Sequence, residues 1–352
     1  MNFETFCASL TEELQKLAGE EAEITVRKIR KNNGVILNGL SIRESDGPVA
    51  PVFYLEDCWR DFQGGLTTRE FAKRLYREHK RKLLMIDVRP DAFSDFSRVR
   101  EHLFFRLINA EMNASLLADT PHRRIFDLAA VYYFEIPELL PKEGTALVNR
   151  EMMEYWGQTE ETLMRRAFSN TVRSHPPLMQ EIGELLMEME KEEGMKITSG
   201  EERLLVLTND RKQFGAGVML YPGVLQKASE QEQTDLWVIP SSVHETILVP
   251  DRGRFAAEEL EHLIAEVNAT QLRPEEILSG RVYRYSREEG RLKMGEEIFP
   301  GDPLLPSSET ALLYGKGPGS PSRSCRPGPP GDRSASALPS DRSAPDRYTA
   351  AG

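Results

Sequence analysis

The chain has 352 residues, of which 39% are hydrophobic and 29% are charged, and its formal net charge is −11. This composition is typical of a globular protein with a strongly solvated surface, and the length predicts more than one compact unit. The acidic balance disfavours non-specific binding to nucleic acid or to an anionic membrane. No run approaches the roughly 20 apolar residues that span a bilayer, and the N-terminus shows no secretory signal pattern.

The cysteines indicate the compartment. Cys7, Cys58 and Cys325 lack the spacing of a metal site, and three cysteines cannot all pair within one chain. Disulfides are rare where thiols are kept reduced, so a cytoplasmic location is expected.

Residues 1–85 are predicted to form a helix–hairpin–strand–helix module. Apolar residues recur at helical spacing over residues 3–17. Two alternating runs then flank Asn33-Gly34, a dipeptide that suits the positive φ angles of a type I′ turn, so a hairpin is expected. A short extended run at residues 52–55 precedes a helix opened by the capping box Thr67-x-x-Glu70.

Residues 86–196 are predicted to form a mixed middle segment. An alternating strand is expected at residues 103–109, and the nearly continuous apolar run 125–136 predicts a strand buried on both faces. A helix is expected from Thr159 to Thr171, and a second one over residues 178–191.

Residues 197–308 are predicted to form a second α/β module. Three apolar runs, a Gly-Ala-Gly turn and a polar helical segment lie between Leu204 and Pro250, followed by a helix at residues 256–267 and a strand at 282–285. Residues 309–352 change to Gly, Pro, Ser, Ala and Arg, a composition that buries too little apolar surface to fold. The predicted fold class is α+β: three sequential small α/β units with mainly antiparallel sheets, plus a disordered C-terminal tail.

One cluster of residue types suits catalysis. A serine nucleophile needs a base within hydrogen-bonding reach, and residues two apart share one face of an extended strand. The same residues also suit a tight turn, in which serine hydroxyls accept hydrogen bonds from turn amides. The chain has no G-x-S-x-G elbow, so hydrolase and turn remain alternative interpretations. The cluster comprises Ser241, Ser242, His244 and Glu245.

A metal site is a second possibility. His244-Glu245 begins an H-E-x-x-H motif, but Leu248 stands where the second histidine is needed. Glu258 and His262 are four residues apart and would share one helical face, where a carboxylate and an imidazole can hold one metal ion with His244 as a third ligand. Both motifs are incomplete, so neither a metal nor another cofactor is predicted.

Short segments spread over residues 1–290 carry a resemblance. Their combination resembles a bacterial family, a domain of unknown function frequent in anaerobic gut Firmicutes. The resemblance implies a cytoplasmic bacterial protein and implies no activity. The segments include Lys31-Asn-Asn-Gly-Val35, Leu107-Ile-Asn109, Pro121-His-Arg-Arg124, Phe126-Asp-Leu-Ala129, Asn170-Thr171, Leu207-Thr-Asn209, Gly215-Ala216, Leu220-Tyr-Pro222, Pro240-Ser-Ser-Val-His-Glu245, Glu266-Val-Asn268 and Val282-Tyr-x-Tyr285.

The absence of a complete catalytic motif favours a non-enzymatic protein-interaction module. Its expected partner is another cytoplasmic protein, not nucleic acid or a membrane. The alternative is a hydrolase with its site around Ser242, His244 and Glu245.

Overall fold

The computed structural model describes residues 1–44, 50–62, 65–83, 95–135, 145–183, 203–240 and 242–298. The elements in these ranges belong to one compact unit, Met1–Leu313. The predicted α+β class is confirmed, because helices accompany three sheets whose described strand pairs are all antiparallel. The tail at 309–352, predicted to be disordered, lies outside the described residues.

The N-terminal module consists of a three-stranded sheet, in the order β1-β2-β3, with helices on one face. Phe6, Leu10 and Leu14 from the first helix pack against Leu40 and Ile42 of the sheet, as the helical spacing of the apolar residues predicts. The elements are α1 (Phe3–Ala18), β1 (Glu23–Arg30), β2 (Ile36–Arg43), β3 (Val52–Tyr54), α2 (Leu55–Phe62) and α3 (Thr68–Leu83).

The predicted hairpin turn is confirmed. Asn33 and Gly34 have φ angles of 59° and 71°, and the Val35 N–H donates to the Asn32 carbonyl at 3.3 Å. These are the features of a type I′ turn. The capping box of α3 is also confirmed, because the Thr67 hydroxyl and backbone N–H both donate to the Glu70 carboxylate.

Helix α2 was not predicted from the sequence. The extended run ends at Tyr54, and Leu55 begins a helix instead of closing the strand. Leu55 and Cys58 are buried, while Glu56 and Asp57 occupy the first turn, where carboxylates interact favourably with the helix dipole. The apolar residues of α2 therefore recur at helical spacing. The β-branched and aromatic residues that precede them are typical of a strand, so the sequence does not indicate where the helix begins.

His79 of α3 is fully buried, and neither ring nitrogen has a hydrogen-bond partner among the described atoms. Burial lowers the pKa of His79 from 6.5. The unfolded chain therefore takes up the proton more readily, and the free energy of unfolding should decrease as the pH falls below about 6.5, by up to about 1.4 kcal/mol per pH unit for one such group. Urea unfolding of the wild type and of His79→Leu from pH 7.5 to 5.5 measures this dependence.

We expect His79→Leu to show a smaller loss of stability on acidification than the wild type. The exposed His262 offers a matched control, because His262→Leu makes the same replacement outside the core. His175, whose pKa burial also lowers, should account for part of the slope that persists in His79→Leu. Identical pH dependence of His79→Leu and the wild type would contradict the prediction.

The middle segment forms a four-stranded sheet, in which β6 lies between β4 and β5 and also pairs with β7. Every residue of β6 is buried, as predicted. The predicted single strand 125–136 is wrong in extent, because Phe126-Asp127 forms a turn and Phe126 has a φ of 53°. The elements are α4 (Phe96–Val99), β4 (Leu103–Asn109), α5 (Ala114–Leu117), β5 (His122–Ile125), β6 (Leu128–Phe134), β7 (Ala146–Leu147), α6 (Arg150–Tyr155) and α7 (Glu160–Ser174).

A seven-stranded sheet, in the order β14-β13-β12-β10-β11-β9-β8, completes the described fold. The Gly-Ala-Gly sequence at 215–217, predicted as a turn, lies in a 3₁₀ helix, Gly215–Leu220. The elements are β8 (Pro177–Glu181), β9 (Leu205–Asn209), α8 (Val224–Glu232), β10 (Leu236–Ile239), β11 (Thr246–Pro250), α9 (Ala257–Thr270), β12 (Tyr283–Ser286), β13 (Arg291–Met294) and β14 (Glu297–Ile298).

The helix predicted at residues 178–191 is wrong over residues 178–181, whereas residues 182–183 are helical. Residues 178–181 belong to β8, which pairs with β9, so that Leu178 lies opposite Thr208. Proline at the first position of an edge strand is compatible with the ladder, and backbone pairing outweighs a weak helix propensity. Residues 184–191 lie outside the described ranges.

The second and third sheets share one hydrophobic core. Leu107 and Tyr132 of the second sheet, Phe168 of α7, and Leu207 and Tyr283 of the third sheet belong to the same buried cluster. Across the described ranges, no helix combines the length and apolarity needed to cross a membrane.

Candidate functional site

Ser242 occupies the turn between β10 and β11 and is 3% exposed. Its hydroxyl accepts a hydrogen bond from the His244 backbone N–H at 3.0 Å, and its backbone forms a β-bridge with Ile277. Among the described atoms, no hydrogen bond joins the Ser242 hydroxyl to the His244 ring. This hydroxyl therefore stabilises the turn in the manner that the turn interpretation predicts. Ser241 lies outside the described residues.

The His244 side chain contacts the loop after β9. Its Nδ1 accepts from the Phe214 backbone N–H at 3.3 Å, and its ring stacks on Phe214 with centroids 5.9 Å apart. Accepting at Nδ1 leaves the proton of the neutral imidazole on Nε2, which is 4.0 Å from a carboxylate oxygen of Glu276. Glu245, the neighbour of His244, is exposed. The turn thus supports Phe214 from one side.

The predicted metal-ligand candidates on α9 face solvent. Glu258 and His262 are both exposed, and Glu259 accepts from the Ala256 N–H at 2.9 Å to cap the helix. The described residues contain no group of three or more His, Cys, Asp or Glu side chains arranged to hold one metal ion. The structure therefore does not bring His244 into a three-ligand group with Glu258 and His262.

The hairpin tip contacts a distant loop. The Asn33 amide nitrogen donates to the carbonyls of Pro274, at 2.8 Å, and Ile277, at 2.6 Å. Asn113 exchanges two hydrogen bonds with Asn33, and the Asn109 amide donates to the Leu278 carbonyl. Asn33 and Asn109, which lie in two of the segments that carry the family resemblance, therefore connect the N-terminal module and β4 to the loop at 274–278.

The outer face of the first sheet is not covered by the helices that pack on its inner face. Along this face, Ile29 and Val52 lie over Gly39, where a Cβ atom would come within 2.8 Å of Val52 Cγ1. Glycine at position 39 lets these two side chains pack against the sheet, and the residues around them line a groove. Arg27 and Arg43 are exposed along it, and neither forms an ion pair with a described residue.

Strand β1 is an edge strand. It pairs with β2 on one side only, and its other edge has no backbone hydrogen-bond partner in the described part of the chain. The sequence contains a basic signal at Arg27-Lys28-Ile29-Arg30. Only the sheet order shows that β1 is at an edge.

Residues 3–287 match the family model DUF5688, described as a family of unknown function. The chain belongs to this family. The resemblance to a domain of unknown function is thereby confirmed. No curated protein and no solved structure matches the chain.

The DUF5688 match covers the first two sheets and all of the third sheet except β13 and β14. It includes the hairpin tip, the β10–β11 turn and β12. Strand β12 ends at Ser286, and the match ends one residue later, at residue 287. Strands β13 and β14 lie beyond it. The candidate sites described above are therefore all within the family region.

Proposed function

We propose that this DUF5688 protein is a non-enzymatic protein-interaction module that binds an extended, acidic segment of another protein along β1. The observation that carries the proposal is the free backbone edge of this eight-residue strand. An extended peptide can add a strand to such an edge through main-chain hydrogen bonds. Neighbouring side chains then select the sequence that binds.

The charges near this edge favour an acidic partner. Arg27 and Lys28 are exposed on β1, Arg43 lies across on β2, and the opposing carboxylate on β1 is Glu23. The chain as a whole is acidic, so this local basic surface stands out from its surroundings. Complementary charges increase association rates and select among partners.

Nucleic acid fits this surface less well. Single-stranded nucleic acid usually stacks its bases on aromatic side chains. The residues that line this groove are aliphatic, hydroxylic or charged.

The alternative function is a hydrolase at the β10–β11 turn. Against it, the Ser242 hydroxyl accepts from the His244 N–H, and His244 Nδ1 accepts from the Phe214 N–H. A catalytic pair would require the imidazole to accept the proton of the serine. The binding function is therefore preferred.

A bacterial cytoplasmic location belongs to the same proposal. Cys7 and Cys58 are free thiols, and Cys58 packs in the core of the N-terminal module. Burial raises the pKa of Cys58 to about 12, which suppresses the reactive thiolate. Unpaired cysteines of this kind suit a reducing compartment.

Fluorescence polarisation with a labelled octapeptide of alternating valine and glutamate tests the interaction. We expect wild-type binding and about tenfold weaker binding by the double variant Arg27→Glu/Arg43→Glu, because charge reversal makes the groove repel the peptide. The double variant Arg77→Glu/Arg81→Glu makes the same charge change at exposed positions on α3 and should bind like the wild type.

The same peptide N-methylated at alternate residues tests strand addition, because it cannot donate main-chain hydrogen bonds along one edge. Loss of binding by the methylated peptide is expected. Undiminished binding of that peptide, or no wild-type binding at millimolar concentration, would refute the proposal. Preferential, Arg27-dependent binding of an eight-nucleotide single-stranded RNA would replace it with nucleic-acid binding.

A further inference from the structure

Arg106 lies near the middle of β4, and its side chain is half-buried. Its Nε is shielded from solvent and has no hydrogen-bond partner. Within the described ranges, no side chain or carbonyl forms a hydrogen bond or an ion pair with this guanidinium. A side-chain N–H that is shielded from solvent is normally paired when it supports only the fold.

Aromatic rings surround the charge. The guanidinium carbon is 4.7 Å from the centroid of the Phe214 ring and 5.8 Å from that of Tyr133. The two rings meet edge to face at 5.5 Å. Cation–π contacts recover part of the lost hydration but leave the shielded Nε–H without an acceptor. Burial lowers the pKa of Arg106, yet arginine stays protonated in proteins, so the positive charge persists.

The backbone of Phe214 is in a strained conformation. Its φ of 53° lies in the left-handed region, which bulky residues seldom occupy. Its N–H donates to His244, whose ring stacks on the Phe214 ring. His244 is therefore a positioning residue for Phe214. The chain thus maintains a strained aromatic residue over an unpaired guanidinium, an arrangement typical of a ligand site.

The nearby charged groups determine the charge of the ligand that this site can bind. Arg211, a second cation close to Tyr133, is already paired with Glu135 at 2.6 Å. Arg106 therefore supplies one uncompensated positive charge. A single charge matches a monoanion, whereas a phosphate dianion would bring more negative charge than the site neutralises. The planar fork of the guanidinium binds both oxygens of a carboxylate.

We propose that Arg106 binds the carboxylate of a small organic monoanion whose apolar body packs against Phe214 and Tyr133. The ligand supplies the acceptors that the guanidinium lacks, and the aromatic rings exclude water from the ion pair. This site is on the second sheet and does not depend on the peptide surface proposed for β1.

Isothermal titration of the full-length protein with benzoate tests the site, with acetate and inorganic phosphate as comparison ligands. We expect benzoate to bind more tightly than acetate, because its ring contacts the aromatic walls, and phosphate not to bind.

Arg106→Met should reduce benzoate affinity at least about tenfold. Arg165→Met removes an exposed arginine of α7 and should leave the affinity unchanged. Equal benzoate binding by Arg106→Met and the wild type, or no wild-type binding, would overturn the proposal, as would Arg106-dependent binding of phosphate in preference to benzoate.

Thermal unfolding without ligand separates a binding role from a structural one. If Arg106 serves a ligand, Arg106→Met should unfold at the wild-type temperature or higher, because it removes an unpaired buried charge. A lower unfolding temperature would make Arg106 structural and contradict the proposal. If Arg106→Met fails to fold, Arg106→Lys is the second variant, because it keeps the positive charge and lacks the two-pronged guanidinium. The proposal then requires that Arg106→Lys bind benzoate more weakly than the wild type.

Discussion

Replacing Gly215 by alanine is expected to lower the free energy of unfolding by about 3 kcal/mol, at the upper end of the usual range for overpacking. A Cβ at this position would lie 2.5 Å from the His244 carbonyl oxygen and 2.8 Å from the Asn209 backbone nitrogen, and it would also clash with the Thr208 hydroxyl. Two of these three contacts are with backbone atoms of neighbouring strands and turns, which cannot rotate away. Urea unfolding monitored by circular dichroism measures the loss.

Gly280 offers the matched control. A Cβ there would meet no atom within 4 Å, and its φ lies outside the left-handed region. Gly280→Ala should therefore change the free energy of unfolding by no more than about 0.5 kcal/mol. A loss below about 1 kcal/mol in Gly215→Ala would show that the β10–β11 turn accommodates the methyl group, contrary to expectation.

Replacing Asn33 by alanine is expected to cost about 3 kcal/mol, because two independent contributions are lost. The side chain forms three hydrogen bonds, two donated to the carbonyls of Pro274 and Ile277 and one accepted from the Asn113 amide, each worth about 0.5–1.5 kcal/mol. In addition, Asn33 has a φ of 59°, which alanine adopts less readily.

Asn33→Gly separates the two contributions. Glycine adopts a positive φ without strain but makes no side-chain hydrogen bonds, so we expect a loss of about 2 kcal/mol, less than for alanine. Equilibrium unfolding of both variants in urea provides the comparison. Equal losses would mean that backbone strain contributes nothing, and a negligible loss in both would mean that the hairpin tip does not stabilise its contact with the loop at 274–277.

Local patterns predicted the N-terminal module well because its elements are joined by short connections. The Asn33-Gly34 turn, the apolar face of α1 and the Thr67 capping box each depend on residues within a few positions of one another. The start of α2 was missed because an apolar run continues from β3 into the helix without a break. The position of β8 was missed for a different reason, since its pairing partner is more than 20 residues away.

The candidate sites depend even more on long-range contacts. Serine and histidine at 242 and 244 indicate catalysis by residue type, yet their hydrogen bonds with one another and with Phe214 form a turn that supports a neighbouring loop. In sequence, Arg106 is one basic residue within an apolar strand. Its lack of a partner becomes visible only when β4, β6 and the loop after β9 come together.

By itself, the sequence determined the α+β class, the strongest helices, the first hairpin and the family to which the chain belongs, because spacing and turn chemistry are local properties. Only the tertiary structure decided the sheet order, which leaves β1 at an edge, and the position of the unpaired Arg106 guanidinium beside Phe214 and Tyr133. Both features depend on which distant segments pair, and pairing is selected by the packing of the whole chain and not by any one segment.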